Sequence, residues 1–192
     1  MTRVDVGMTP LMIGYFLILL LFLGLPRRRA NPALRTDAAS TRRTGSVLGV
    51  VHLVALFLPL VAMWADVGPR ATIGVAWMGV ASMCAGLFLQ RWAQRSLGSS
   101  FTLALQSAED QAICSHGPYR LIRHPAYLAQ IAMWIGLALT SRNIVAAWII
   151  AGLTAGAYAY RLTEEERVLI INMGERYRAY MSRTKRLLPF VW

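Results

Sequence analysis

The chain has 192 residues, of which 56% are hydrophobic and only 15% charged. Soluble domains carry charge on roughly a quarter of their residues, so an ordinary water-soluble fold is excluded and a bilayer is the natural solvent. The formal charge of +11 raises nucleic acid as a partner, but the basic residues are placed otherwise: six Lys and Arg lie between Pro26 and Ser46, four between Gln90 and Pro125, and seven from Arg161 onward. That clustering is the bias of cytoplasmic loops under the positive-inside rule, with anionic lipid headgroups as their partner.

In chain order, Leu11 to Leu25 is apolar apart from Tyr15 and two glycines, and with Met8, Thr9 and Pro10 it reaches the length of a membrane span. Pro26-Arg27-Arg28-Arg29 follows the run, whereas a cleaved signal peptide carries its charge in front, so the first helix is read as retained. A second span is predicted over 47–65, broken at Pro59 and carrying His52, read as packed and hydrogen-bonded in preference to touching a substrate. A third covers 71–89 and leaves the membrane through Gln90-Arg91-Trp92. The polar, glycine-punctuated stretch from Gln94 to Arg123 is long for a mere connector, and such loops usually hold function.

The fourth and fifth spans, over 126–140 and 144–160, are separated only by Ser141-Arg142-Asn143, which requires a tight antiparallel hairpin. Gly152 and Gly156, with alanines at 147, 151, 155 and 159, give helix five a small-residue side suited to close helix packing. Arg161, at the inner edge of that helix, is expected to snorkel to lipid phosphate, with contact to a cofactor as the alternative reading. The expected fold class is therefore an all-α integral membrane protein with five transmembrane helices, in an inner (cytoplasmic) membrane, N-terminus outside and C-terminus cytoplasmic. Residues 1–70 form an N-terminal hairpin, and 71–192 form a catalytic core with a cofactor loop over 94–125 and a helical tail over 161–192. Cys84 and Cys114 supply neither a disulfide framework nor metal-ligand spacing, and no metal is expected.

Two clusters carry chemistry. Gly117-Pro118-Tyr119-Arg120-Leu121-Ile122-Arg123-His124-Pro125-Ala126-Tyr127 leads into the fourth span. Pro125 suits the first turn of a helix and pushes His124 out of the α region, so the helix starts there, with its dipole and open amides at the membrane boundary. At about 100° per residue, Arg123, Tyr127, Gln130 and Trp134 fall in one sector. Gln130 would not face lipid, so this stripe looks onto protein or a cavity. The second cluster, Glu164-Glu165-Glu166-Arg167-Val168-Leu169 and then Gly174-Glu175-Arg176-Tyr177-Arg178-Ala179-Tyr180, follows the fifth span, and the hairpin returns it beside the first. A helix continuous past Gly174 would place Glu166, Leu169, Met173, Tyr177 and Tyr180 on one face.

Taken together, Gly117-Pro118-Tyr119, Arg123-His124-Pro125-Ala126-Tyr127, Glu165-Glu166-Arg167-Val168-Leu169, Gly174, Tyr177, Tyr180 and Leu188-Pro189 resemble, in order, the pattern of the isoprenylcysteine carboxyl methyltransferases and their bacterial and phospholipid methyltransferase relatives. The resemblance covers about 98–192 and departs at Met173, where relatives commonly have an aromatic residue. It implies methyl transfer from S-adenosylmethionine to a lipophilic small molecule or lipidated substrate, possibly through a carboxylate. On that reading Glu165 or Glu166 meets the cofactor's ammonium. His124, Tyr127, Arg123 and the helix-start amides serve its carboxylate, while Ile113, Cys114, Ser115, Gly117 and Tyr119 lie by the adenine. Arg120 or Arg123 orients a carboxylate acceptor, His124 would deprotonate an amine or thiol, and Gln130, Trp134 and Tyr177 line the acceptor side. Competing readings are an NADPH-dependent reductase of sterol-reductase type and a non-catalytic scaffold or transporter.

Overall fold

A computed structural model describes residues 3–23, 38–65, 68–97 and 113–188. These are all-helical: α1 (Arg3–Leu23), α2 (Ala38–Trp64), α3 (Ile73–Leu97), a single 3-10 turn (Gly117–Arg120), α4 (Pro125–Thr140), α5 (Ile144–Met173) and α6 (Glu175–Arg183). Three stretches are long and apolar enough to cross a bilayer, Arg42–Trp64, Ile73–Leu97 and Ile144–Met173; Met8–Leu23 and Pro125–Thr140 are shorter apolar helices. The chain is a membrane protein.

The hub is α4. Its 16 residues span only about 24 Å at 1.5 Å per residue, and it is surrounded by the other long helices, so Ala129, Met133, Trp134, Leu137 and Ala138 are all buried. Against it lies the periodic stripe Ala76, Gly79, Met83, Gly86, Gln90 and Ala93 of α3. A Cβ on Gly79 would stand 2.5 Å from the Gly136 carbonyl oxygen, and one on Gly136 would stand 2.6 Å from Met83 Cγ. Glycine at these two positions is what lets the backbones approach. Leu11, Leu17, Ile18 and Leu21 of α1, Ala55 of α2 and Ile150 and Tyr158 of α5 complete the core.

Several sequence expectations change. The small-residue side of α5 is not the close contact, because Cβ atoms at Gly152 and Gly156 would meet nothing within 4 Å. Pro59 does not break α2, which runs through it from Ala38 to Trp64, as proline is tolerated in membrane helices whose freed backbone groups are satisfied locally. The third helix does not end at Gln90 but continues to Leu97, with Gln90 1% exposed. Residues 24–37, with Arg27, Arg28, Arg29 and Arg35, and residues 98–112 of the 94–125 cofactor loop lie outside the described residues, as does Pro189 of the Leu-Pro ending.

At the end of the bundle away from Arg123, the two short links hold each other. Ala71 N donates to Arg142 O at 2.7 Å and Ile144 N to Pro69 O at 3.2 Å, Arg142 Nε donates to Ala71 O at 2.9 Å, and Asn143 Oδ1 caps α5 by accepting from Ala146 N at 2.8 Å. The 30 residues of α5 reach about 45 Å, beyond a hydrocarbon core of about 30 Å. Its charged final portion, from Arg161, therefore projects past the apolar layer beside the start of α4. Gly174, at φ 55° and ψ −130°, lies in a region open to glycine and turns the chain from α5 into α6.

Candidate active site

The site is assembled where the start of α4 meets the projecting part of α5. Pro125 at the first helical position fixes the start, and His124 stands before it at φ −126°, outside the α region as the following proline demands. Arg123, His124 and Tyr127 thereby face the successive carboxylates Glu165 and Glu166.

Glu166 is 2% exposed and takes hydrogen bonds from three side chains. Arg123 Nε donates to Oε1 at 2.7 Å, His124 Nε2 lies 3.3 Å from the same oxygen, and Arg186 Nε donates to Oε2 at 2.8 Å. Burial works to raise its carboxyl, but the hydrogen bonds and charges of His124 and Arg123 outweigh burial and hold it down at about 2.

Glu165 is placed differently. Tyr127 hydroxyl donates to its Oε2, and Arg161 Nε stands 3.6 Å from that oxygen. Its side chain is 18% exposed, and Oε1 has no hydrogen bond among the described residues. Arg161 also donates to Tyr127 Oη at 3.2 Å and to Thr44 Oγ1 of α2 at 2.6 Å. It is 7% exposed, so it ties α2, α4 and α5 together instead of reaching for lipid.

The remaining contacts come from the chain's last described residues. Ile122 and Lys185 pair as an isolated parallel bridge, in which Arg123 N donates to Lys185 O at 2.7 Å, His124 N to Arg186 O at 3.1 Å and Lys185 N to Leu121 O at 3.2 Å. Arg123 also donates to the carbonyl of Thr184, and Tyr180 hydroxyl to Tyr119 O at 2.7 Å. Neither Thr44 nor Arg186 was singled out from sequence. Thr44 sits in a polar helix start and Arg186 in a basic run, and nothing local marks Thr44 as a partner of Arg161, 117 positions away, or Arg186 as a partner of Glu166, 20 positions away.

Of the other sequence candidates, Tyr119 and Tyr177 are buried, and burial first, then neighbouring ionisable groups, pushes both hydroxyls well above their ordinary value. Cys114 Sγ lies 3.6 Å from Ser96 O, and Gly117 packs against Ser96 and Trp92, so 113–117 runs along the end of α3, with Ile113 partly buried and Ser115 exposed. Arg120 is exposed at the end of the 3-10 turn, and no described contact joins it to the glutamates. Gln130 and Trp134 lie deeper, with Tyr158 donating to Gln130 Oε1 at 2.7 Å and Trp134 stacked on His52. His52 is thus packed and hydrogen-bonded, as expected. A cavity of about 280 Å³, lined by Val75, Leu139, Arg142 and Trp148 among others, lies at the opposite end of the bundle and takes no part in this cluster. Among the described residues no group of His, Cys, Asp and Glu is arranged to hold a metal ion.

Comparison with known proteins agrees with the motif pattern. Over 166 residues the chain is 26% identical to protein-S-isoprenylcysteine O-methyltransferase A of Arabidopsis thaliana, covering 83% of this chain and 84% of that protein. It is 24% identical over 111 residues to the Schizosaccharomyces pombe protein-S-isoprenylcysteine O-methyltransferase, covering 57% and 47%, and 26% identical over 153 residues to that of Xenopus laevis, covering 73% and 52%. The chain thus spans about half the length of the latter two. The family model described as phospholipid methyltransferase matches residues 75–176, more than half of the chain, with Arg123, His124, Tyr127, Glu165 and Glu166 inside the match, and on that match the chain belongs to the phospholipid methyltransferase family.

Proposed function

We propose that this chain is an integral membrane methyltransferase that moves a methyl group from S-adenosylmethionine to the carboxylate of a lipophilic, isoprenylcysteine-like acceptor. The observation that carries the reading is the division of labour between two adjacent glutamates. Glu166 is saturated by Arg123, His124 and Arg186, while Glu165 keeps an oxygen open beside Tyr127. A carboxylate partly open to solvent fits a cofactor that carries an ammonium, so Glu165 is its counter-ion and Glu166 organises the donors around it.

The cofactor's carboxylate would be served by the start of α4 and by His124 and Tyr127, and its adenine by the segment from Ile113 to Gly117 with Tyr119. The bound sulfonium supplies an already activated methyl group. The protein's task is then alignment and exclusion of water, and a carboxylate acceptor requires no base. With Arg123 engaged by Glu166, Arg120 is the guanidinium left to orient the acceptor. The names of the relatives support a carboxyl acceptor on an isoprenylated cysteine. The apolar helices support five spans, α1 to α5, with 1–70 as a supporting hairpin and 71–192 as the catalytic core. The clustered basic residues support a cytoplasmic C-terminus and an outside N-terminus.

The test is incubation of the detergent-purified protein with methyl-tritiated S-adenosylmethionine and N-acetyl-S-farnesylcysteine. Base-labile label released as volatile methanol is expected. A folded protein that binds no S-adenosylmethionine overturns the reading.

A further inference from the structure

The cavity at the end of the bundle away from Glu166 has a built polarity. At one end stand Arg142 and Asn143, in the link between α4 and α5, with Ala71 before α3; from there it runs inward past Leu139 and Ile135 of α4 and Ala147 and Ala151 of α5. Ile144 and Ala151, both lining it, are separated by about 10 Å along α5. Apart from Arg142 and Asn143, every residue that lines it is apolar. The alanines of α5, which look from sequence like a seat for another helix, here leave a slot.

The slot is not a continuation of the space beside Glu165. At 100° per residue, Ile135 and Leu139 stand roughly 130° round α4 from the sector of Tyr127, Gln130 and Trp134. Trp148 borders the slot and is 75% exposed, so its rim belongs to the surface that meets lipid.

Arg142 is fixed at the polar end. Among the described residues it is the one non-glycine at positive φ, 60°, a region that side chains other than Asn and Asp rarely enter. Ala71 holds it there from both sides, its N donating to Arg142 O at 2.7 Å and its O accepting from Arg142 Nε at 2.9 Å. The guanidinium is thus anchored through Nε, while its two terminal nitrogens meet no acceptor among the described residues and no acidic side chain lines the slot. A guanidinium at the margin of an apolar layer draws in an anion, and lipid phosphate is the anion at hand. Arg70, whose backbone pairs with Asn143, adds a second positive charge at this end and disfavours a headgroup that carries its own cation.

The volume sets how much of the ligand enters. At about 280 Å³ the slot falls just short of the roughly 300–1,000 Å³ that encloses a drug-sized ligand, so it takes one apolar chain in part and leaves the rest of the molecule in the bilayer. We propose that this slot is a binding site for an anionic phospholipid of the leaflet opposite the glutamate cluster, with the phosphate on the terminal nitrogens of Arg142 and one acyl chain lying between Leu139 and Ala151. A lipid seated there braces the start of α3 against the α4–α5 hairpin.

The test is thermal unfolding of the full-length protein in dodecyl maltoside, titrated with dioleoyl phosphatidylglycerol, for which a saturable rise in Tm is expected. Arg142→Asn removes the guanidinium and keeps a residue that tolerates the left-handed turn. Ala151→Phe fills the far end of the slot and leaves Arg142 in place. Each is expected to move the titration midpoint to about tenfold higher lipid or more, whatever its own starting Tm. Arg183→Asn removes an exposed charge from α6, at the opposite end, and is expected to move the midpoint less than about twofold. An equal response to dioleoylglycerol or dioleoyl phosphatidylcholine overturns the anionic headgroup, and an equal response to glycerol phosphate overturns the chain. No rise in the parent protein, an unmoved midpoint in Arg142→Asn or Ala151→Phe, or an equal loss in Arg183→Asn overturns the site. Binding is read without S-adenosylmethionine, so its failure leaves the methyltransferase reading standing.

Discussion

Arg186 donates from Nε to Oε2 of Glu166 at 2.8 Å, the oxygen that Arg123 and His124 leave open. The tail is thereby fastened to the glutamate at the heart of the site. Arg186→Ala is expected to lower stability by about 1–3 kcal/mol, the range for losing a charged hydrogen bond at a partly exposed position. The loss is read by thermal unfolding in detergent and by faster proteolysis at Thr184 to Leu188. Arg186→Lys should recover part of it, since an ammonium restores charge without the planar donor set. Unchanged proteolysis in the alanine variant would detach the tail from the site.

The same carboxylate gives a pH dependence with a defined sign. Glu166 is held at about 2 against an ordinary 4.5, so the folded state binds fewer protons than the unfolded one across that interval. Its contribution is complete above about pH 4.5 and is lost as pH falls toward 2. Acid titration of tail proteolysis should show this loss in the native protein. In Glu166→Gln the group no longer titrates, and the step should be absent.

The two glutamates should separate by phenotype. Glu165→Gln is expected to weaken S-adenosylmethionine binding about tenfold or more, as for loss of a charged hydrogen bond, with little change in Tm. Glu166→Gln is expected to cost about 3–5 kcal/mol of stability, because buried Arg123 loses its counter-ion. Isothermal titration paired with thermal unfolding checks both. The reverse pattern would exchange their roles.

Close packing can be tested at four glycines. Gly79→Val and Gly136→Val should each destabilise by at least about 1–3 kcal/mol through overpacking, since a Cβ there already meets backbone or Met83. Gly152→Ala and Gly156→Ala meet nothing and should stabilise by up to about 1 kcal/mol through helix propensity. Unfolding midpoints of the four variants decide the matter.

What could be read from sequence was local. Pro125 after His124 announces a helix start, and Ser141-Arg142-Asn143 leaves too little chain to separate α4 from α5, so the approach of Tyr127 to Glu165 followed from spacing. The rest depends on facing partners. A stripe of Gly152 and Gly156 looks like a packing surface, but whether a helix lies on it depends on the depth of its neighbours, and α4 packs instead on Gly79 of α3. Arg161 at a membrane edge suggests lipid until Thr44 of α2 is brought within 2.6 Å. The bridge of Ile122 to Lys185 is a pairing of two short segments with no periodicity to announce it.

The parallel bridge between 121–124 and 185–186 also governs when the site can come into being during synthesis. The carboxylate of Glu166 is made before its last counter-ion, and twenty further residues must leave the ribosome before Arg186 can reach it. All five apolar helices precede Arg186 and can thus be inserted while the cluster is still incomplete, so chains interrupted between Glu166 and Arg186 would lodge in the bilayer with that buried carboxylate lacking one of its three partners.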